Sequence, residues 1–578
     1  MSGVPETSVV FLWHMHQPDY RDCLTGEYYF PWTYLHAIKD YTDMAAHLEN
    51  NPGSKAVFNY VPILIEQLVD YDQQLNAYLT KGELLSDPLL ALLTNAERPE
   101  PGSERFADLL QKCTRANRER IIDRFEPYQH LMGLYDNAQE VEGADRYFNQ
   151  QYLTDLCVWY HLGWLGETVR RDNPIIERLQ QQSFNYTADH CRDLLQVIYS
   201  AISGIIPRHK KLAESGQAEL ITSPYAHPIL PLLLDFNSTH DAMPAAPLPN
   251  SGEYPGGEAR AHWQMQKGLD VFKQHFGNMP KGCWASEGAL SDAALKVLSE
   301  HGIRWTATGD SVLFNSLQNS ANNTAADKIK SEPDTRHTAF QVGEGDVHVF
   351  FRDDGLSDKI GFEYANWHAD DAVGDFVHHL ENIAKAAPAD NHTVISIIMD
   401  GENAWEYYPE NAWYFIDALY KKIEAHPYLT TRTYSEVLEL ADNQAPLNTI
   451  PLEHLCAGSW VYGTFSTWIG EAEKNHAWDI LCEVKRAYDQ VIDSGALDQQ
   501  QSAEASLQLA LCEGSDWFWW FGDYNPSDSV KDFDRLYRQH VSNLYTSLGL
   551  VPPSSLDTPI STGSGAPANG GVMRQGHQ

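Results

Sequence analysis

"VISIIMDGENAWEYY", residues 394–408, decides how the chain folds. From Val394 to Met399 the only polar side chain is Ser396, and the run then stops at Asp400-Gly401-Glu402-Asn403. A strand that is apolar on both faces is covered on both faces, as in parallel α/β sheets and barrels. Asp400 therefore stands at the rim of a low-dielectric interior, where the protonated carboxyl is favoured. In such folds the chemistry gathers at the C-terminal ends of the strands.

Two other stretches repeat the pattern. "FLWHMHQPDY" (11–20) runs from an apolar strand into His14-Met15-His16-Gln17-Pro18. Pro18 cannot continue a central strand, so the histidines fall where strand gives way to loop. "GCWASEGALSDAAL" (282–295) places Glu287 just past a short strand, with Gly288 behind it and a helix to follow. A strand-end acid often does no more than cap the next helix. Two such acids with a His-x-His turn on a third strand read as a site. A raised carboxylic acid beside an ionised one is what a general acid and a nucleophile require.

Working outward, apolar β-branched or aromatic runs recur at 8–13, 56–60, 218–223, 282–286, 303–308, 347–352 and 394–399. Helical patterns lie between most of them. "SDAALKVLSEHGI" opens on Ser291 as an N-cap, and "DDAVGDFVHHLENIAKAA" has apolar residues at helical spacing. About seven strands alternating with helices predict a mostly parallel sheet or barrel. Residues 61–217 are too many for one connection and read as helices, a helical insertion in a catalytic barrel spanning 1–410. Residues 411–550 read as a C-terminal helical domain. Residues 551–578, rich in Pro, Gly and Ser, read as a disordered tail.

The bulk figures narrow the function. A formal charge of −38, from 79 acidic and 41 basic residues, excludes nucleic acid or an anionic membrane as the main partner. The 16 Trp and 29 Tyr suit carbohydrate, whose C–H faces pack on aromatic rings, although most such residues serve cores. Eight scattered cysteines form no C-x-x-C pair, which removes zinc-ribbon and thioredoxin-like readings. The start, "MSGVPETSVVFLW", lacks a basic segment, and its apolar run is short for a signal peptide. The expectation is a cytoplasmic protein with reduced thiols.

His14-Met15-His16-Gln17-Pro18, Trp284-Ala285-Ser286-Glu287 and Met399-Asp400-Gly401-Glu402-Asn403-Ala404-Trp405-Glu406 resemble signature blocks of glycoside hydrolase family 57. The resemblance extends to "PWTYLHAIKDY" (31–41), "GQAELITSPYAHPILPLL" (216–233), "FRDDGLSDKIGFEY" (351–364), "AGSWVYGTFSTWIGE" (457–471) and "EGSDWFWWFGD" (513–523). The Asp-Gly-Glu-Asn-Ala-Trp-Glu form is most similar to the amylopullulanase-like branch. The resemblance implies a (β/α)7 barrel followed by a helical domain, and retaining cleavage of α-glucans or maltooligosaccharides without a cofactor. It implies Glu287 as nucleophile and Asp400 as general acid/base. It also implies sugar contacts from His14, His16, Glu219 and Trp460, with Trp284 and Trp405 as candidate stacking platforms. The Gly-Ala-Leu after Glu287 departs from many relatives, which carry bulkier residues there.

Histidine pairs such as His14 and His16 also bind zinc. A metal-dependent deacetylase or mannosidase would need a third ligand, for which His227, Asp19 and His36 are candidates. A 4-α-glucanotransferase or branching enzyme would share the covalent intermediate and differ in what intercepts it.

Overall fold

The computed structural model describes residues 5–94, 98–141, 143–319, 336–387, 392–443 and 449–565, together with Met573. Strand β1 (Thr7–Met15) lies beside both β2 (Ala56–Tyr60) and the last long strand, β8 (Thr393–Asp400). From β2 the order continues through β3 (Ala218–Thr222), β4 (Gly282–Cys283), β5 (Trp305–Gly309) and β7 (His348–Arg352). Arg352 pairs with Ser396, so the sheet closes: seven parallel strands form a (β/α)7 barrel. Each of the seven runs read from the sequence is one of these strands.

Alternation along the strands fills both sides of the barrel wall. Val10, Leu12, Val57, Ile221, Trp284, Trp305, Phe350 and Ile398 pack inside it. Val9, Phe11 and Trp13 face the surrounding helices. That is the two-residue period of a strand, here apolar on both faces. The helices carry the expected end signals. Pro62 opens the helix Pro62–Lys81, and Gly82 closes it in the left-handed region. Ser291 caps Asp292–Glu300 by accepting the Ala294 N–H. Helices occupy much of 62–214, ending in the long helix Ala188–Glu214.

Three short strands were not anticipated. β6 (Phe340–Val342) runs antiparallel to β7, β9 (Leu429–Thr431) pairs with the start of β1, and β10 (Ile450–Leu452) pairs with β6. Past residue 410 the chain forms the helices Trp413–Glu424 and Tyr434–Asn443 but still contributes β9 and β10 to the sheet before the long helix Ala472–Ser494. Three residues are too few to show a period. The tail expectation also needs correction. Leu556 is buried, Ser561 donates to Glu473, and Gly565 bridges to Pro526, so the chain is packed down to residue 565. A few anchors such as Leu556 hold a segment whose composition is otherwise polar. Residues 566–572 and 574–578 lie outside the described residues. Among the described residues, no helix is long and apolar enough to cross a membrane.

Candidate active site

A cavity of about 440 Å³ opens at the C-terminal ends of the barrel strands. His14, His16, Glu287, Asp400, Glu402 and Trp460 all line it. Beyond the barrel loops its wall includes Arg115 and Trp164 from the helical stretch, and Asp516, Trp519, Trp520 and Phe533 from the C-terminal helices.

Glu287 sits on a tight turn after β4 with φ 58° and ψ 25°, the left-handed region. Strain of that kind in a non-glycine residue persists only where its surroundings impose it. Trp460 imposes it twice. Its backbone N–H donates to Glu287 O (3.2 Å), and its indole Nε1–H donates to Glu287 Oε2 (3.0 Å). Thr308 Oγ1 donates to the carbonyl of Gly288 (2.6 Å). Gly288 also has a positive φ, and a Cβ there would lie 2.9 Å from the Trp284 ring. That crowding explains why no bulkier residue follows the acid.

Asp400 ends β8 in register with His14 on β1. Gly401 is pressed onto β1: its N–H donates to His14 O (2.7 Å), and a Cβ would come within 2.4 Å of Met15 Sδ. Burial pushes the Asp400 carboxyl up to about 6, against the opposing influence of the Asn403 amide, His16 and the Arg352 guanidinium. Arg352 is fixed by donating to Ile398 O, Asp354 and Asp358, each at 2.8 Å. Glu402 turns back under the His16–Gln17 loop. Its Oε1 accepts from His16 N (3.3 Å) and Gln17 Nε2 (3.4 Å), while Oε2 is buried without a partner. Burial, with Asp400 beside it, raises the Glu402 carboxyl well above the usual range.

Two imidazoles, His14 and His16, line the cavity, and a third, His227, stacks behind them with no exposed surface. The His14 and His227 rings are 5.0 Å apart, and those of His16 and His227 4.0 Å. His14 donates Nδ1–H to Asn59 Oδ1 (2.5 Å), and burial next to His16 lowers it to about 3. Burial likewise holds His227 well below the ordinary histidine value. His227 Nδ1 lies 3.9 Å from Glu287 Oε1. His16 donates Nε2–H to both oxygens of Asp516 (2.9 and 3.0 Å), 500 residues away in sequence.

The cavity thus brings together Glu287, Asp400, His14, His16 and Trp460, but not the other three residues expected to meet sugar. Glu219 is the second residue of β3, at the opposite end of the barrel, accepting from Trp305 Nε1 and from Ser435 N and Oγ. Trp284 has no exposed surface and fills the barrel interior. Trp405 is buried against Trp13, its indole N–H given to Gly401 O. Of the proposed third metal ligands, Asp19 is engaged by Arg21 and His36 by Asp40. Arg352 and Asp516 lie in blocks the sequence had singled out, yet only folding shows that they converge.

Residues 10–451 match the sequence profile of glycosyl hydrolase family 57. The chain belongs to that family. No curated protein sequence matches it. Among solved structures, this family-57 enzyme is similar to a branching enzyme of the same family from Thermococcus kodakaraensis. The identity is 16%, the TM-score 0.57, and 94% of this chain and 90% of that one are covered. It is also similar to the α-amylase of Thermotoga maritima, at 14% identity and TM-score 0.54, over 96% of both chains. A family-57 branching enzyme from Pyrococcus horikoshii stands at 15% and 0.54, over 95% of this chain and 93% of that one. At such identities the likeness is one of fold.

Proposed function

We propose that this family-57 enzyme is a retaining α-glucan hydrolase. The observation that carries the reading is the contrast between two carboxyls on one cavity. Asp400 is pushed up to about 6 by burial, and Glu287 is clamped by the Trp460 indole. Asp400 gives its proton to the glycosidic oxygen as Glu287 attacks the anomeric carbon, which forms a covalent glucosyl-enzyme. Asp400 then takes a proton from the water that releases the sugar. His14 and His16 hold sugar hydroxyls, and Trp460 offers a ring face beside the reacting centre. The substrates are α-glucans, and assays on pullulan and amylopectin decide between α-1,4 and α-1,6 linkages. The eight cysteines, none in a disulfide, suit a cytoplasmic enzyme of storage or imported glucan.

A second reading is transfer to another sugar. Trp519, Trp520 and Phe533 form an aromatic wall that could seat an acceptor and exclude water. Product analysis with maltooligosaccharides, pullulan and amylopectin separates the two. Hydrolysis creates reducing ends, whereas transfer conserves their number. Inactivity on all three overturns the α-glucan reading, and activity abolished by a chelator overturns the two-carboxylate mechanism.

A further inference from the structure

Beside the cavity, His16 and Asp516 from its lining meet the buried His227 in a cluster of donors that sugar binding alone does not account for. A nitrogen each of His16 and His227 and a carboxylate oxygen of Asp516 lie within 4.8 Å of one another. His227 has no exposed surface, and its Nε2 has no hydrogen-bond partner; the His16 Nδ1 is likewise buried and unpartnered. Ser515 Oγ shares a hydrogen bond with His227 Nδ1 (3.0 Å), and the Ser515 N–H donates to His227 O (3.0 Å). Two adjacent residues at the start of one helix thus serve both histidines, Ser515 fixing the ring of His227 and Asp516 meeting His16. A histidine whose second nitrogen is tied down by an outer partner is the usual form of a metal ligand.

We propose that His16, His227 and Asp516 form a binding site for a divalent transition-metal ion, zinc being the best fit, and that the ion inhibits the enzyme. Two imidazoles and one carboxylate with a fourth position open are a zinc ligand set, and they disfavour calcium and magnesium, which take oxygen ligands. Zinc–ligand bonds of about 2.0–2.2 Å need the three donors to draw together by on the order of 1 Å. The ion takes the place of the proton that His16 Nε2 shares with Asp516, and that proton leaves to solvent. Ser515 holds His227 Nδ1, so the ion takes Nε2, while Nδ1 stays 3.9 Å from Glu287 Oε1 and one imidazole separates the ion from that carboxylate. The ion also takes up His16, which lines the cavity where a sugar would sit.

The test is a titration of the full-length protein with Co2+, read by its visible absorption, followed by Zn2+ competition measured by calorimetry. Neither readout depends on turnover, so it stands apart from the hydrolase reading. One ion is expected per chain, bound at least tenfold more weakly by Asp516→Asn and by His227→Asn. Asp516→Asn keeps the shape of a partly exposed side chain and guards against loss of folding at buried His227. His262→Ala, which breaks a surface pair with His301 at 3.0 Å, is expected to leave binding unchanged. In assays, Zn2+ should inhibit competitively with maltooligosaccharide, and a chelator should restore the rate. No binding at millimolar Co2+, equal binding by wild type and both cleft variants, or loss of binding in His262→Ala would each overturn the proposal.

Discussion

The two ends of the barrel hold similar side chains in opposite conditions. At the N-terminal end, Glu219 is half-buried, and both its oxygens accept hydrogen bonds, from Trp305 and Ser435. At the C-terminal end, Glu402 Oε2, His16 Nδ1 and His227 Nε2 are buried without partners, and Glu287 stands in a strained backbone conformation. A buried polar atom without a partner costs about 1–3 kcal/mol. The orphaned atoms at the cavity are a deficit that a ligand can relieve, whereas Glu219 carries none. Residue type does not separate Glu219 from Glu402, but hydrogen-bond satisfaction does.

The sharpest way to break this comparison is Glu287→Ala. We expect kcat to fall by roughly 10⁴-fold with little change in Tm, and azide to restore part of the rate by filling the gap. A variant with near wild-type turnover would remove the nucleophile from the mouth.

Asp400→Asn comes next, with a loss of about 10²–10⁴-fold on natural glucan and much less on activated aryl glucosides, whose leaving groups need little protonation. In the wild type, the alkaline limb of kcat/KM should fall near pH 6, where Asp400 gives up its proton. The same group sets a stability trend. Its folded value lies above its unfolded one, so its contribution is fully present below about pH 4 and is lost as the pH rises through 6. Asp400→Asn should therefore melt higher than wild type at pH 8, and the gain should vanish at pH 4. An equal gain at both pH values would place its origin elsewhere.

At the other end, Glu219→Ala should lower stability by about 2–3 kcal/mol, because it strands the Trp305 and Ser435 donors, and leave kcat/KM of the folded enzyme within a factor of about two. Selective loss of activity in a stable variant would contradict the division of the barrel drawn above. The smallest effect is expected from Glu402→Gln. The amide keeps the acceptor for His16 and Gln17 and supplies a donor at the orphaned atom, so kcat should change less than about fivefold. Glu402→Ala, which frees the loop carrying His16, should cost more in both kcat and Tm. Comparable losses in the two variants would mean that Glu402 works as an ionised group.

Much of this was legible from the chain. The barrel strands declare themselves because they are buried on both faces, and their ends declare themselves because "MDGEN" and "WASEG" break an apolar run with acid. The end of a strand on which a residue sits is harder to read. Glu219 lies in a marked block, but two residues into its strand rather than beyond it. Trp284 and Trp405 show that an aromatic inside a catalytic motif can serve packing alone. Partnerships across the chain were not legible. Nothing local links His16 to Asp516, or His227 to Ser515, because those contacts exist only after the C-terminal helices dock on the barrel.

That docking has a consequence for how the enzyme comes to life. β8 and Asp400 leave the ribosome well before Asp516, and at about 5–20 residues per second the interval is on the order of ten seconds. During that time the barrel can close and present both carboxylates, yet His16 lacks its anchor and the aromatic wall of Trp519, Trp520 and Phe533 has not been made. A nascent chain is therefore folded before it is competent. The final stretch of synthesis completes the mouth, and a product ending before residue 515 would lack Asp516 and the aromatic wall.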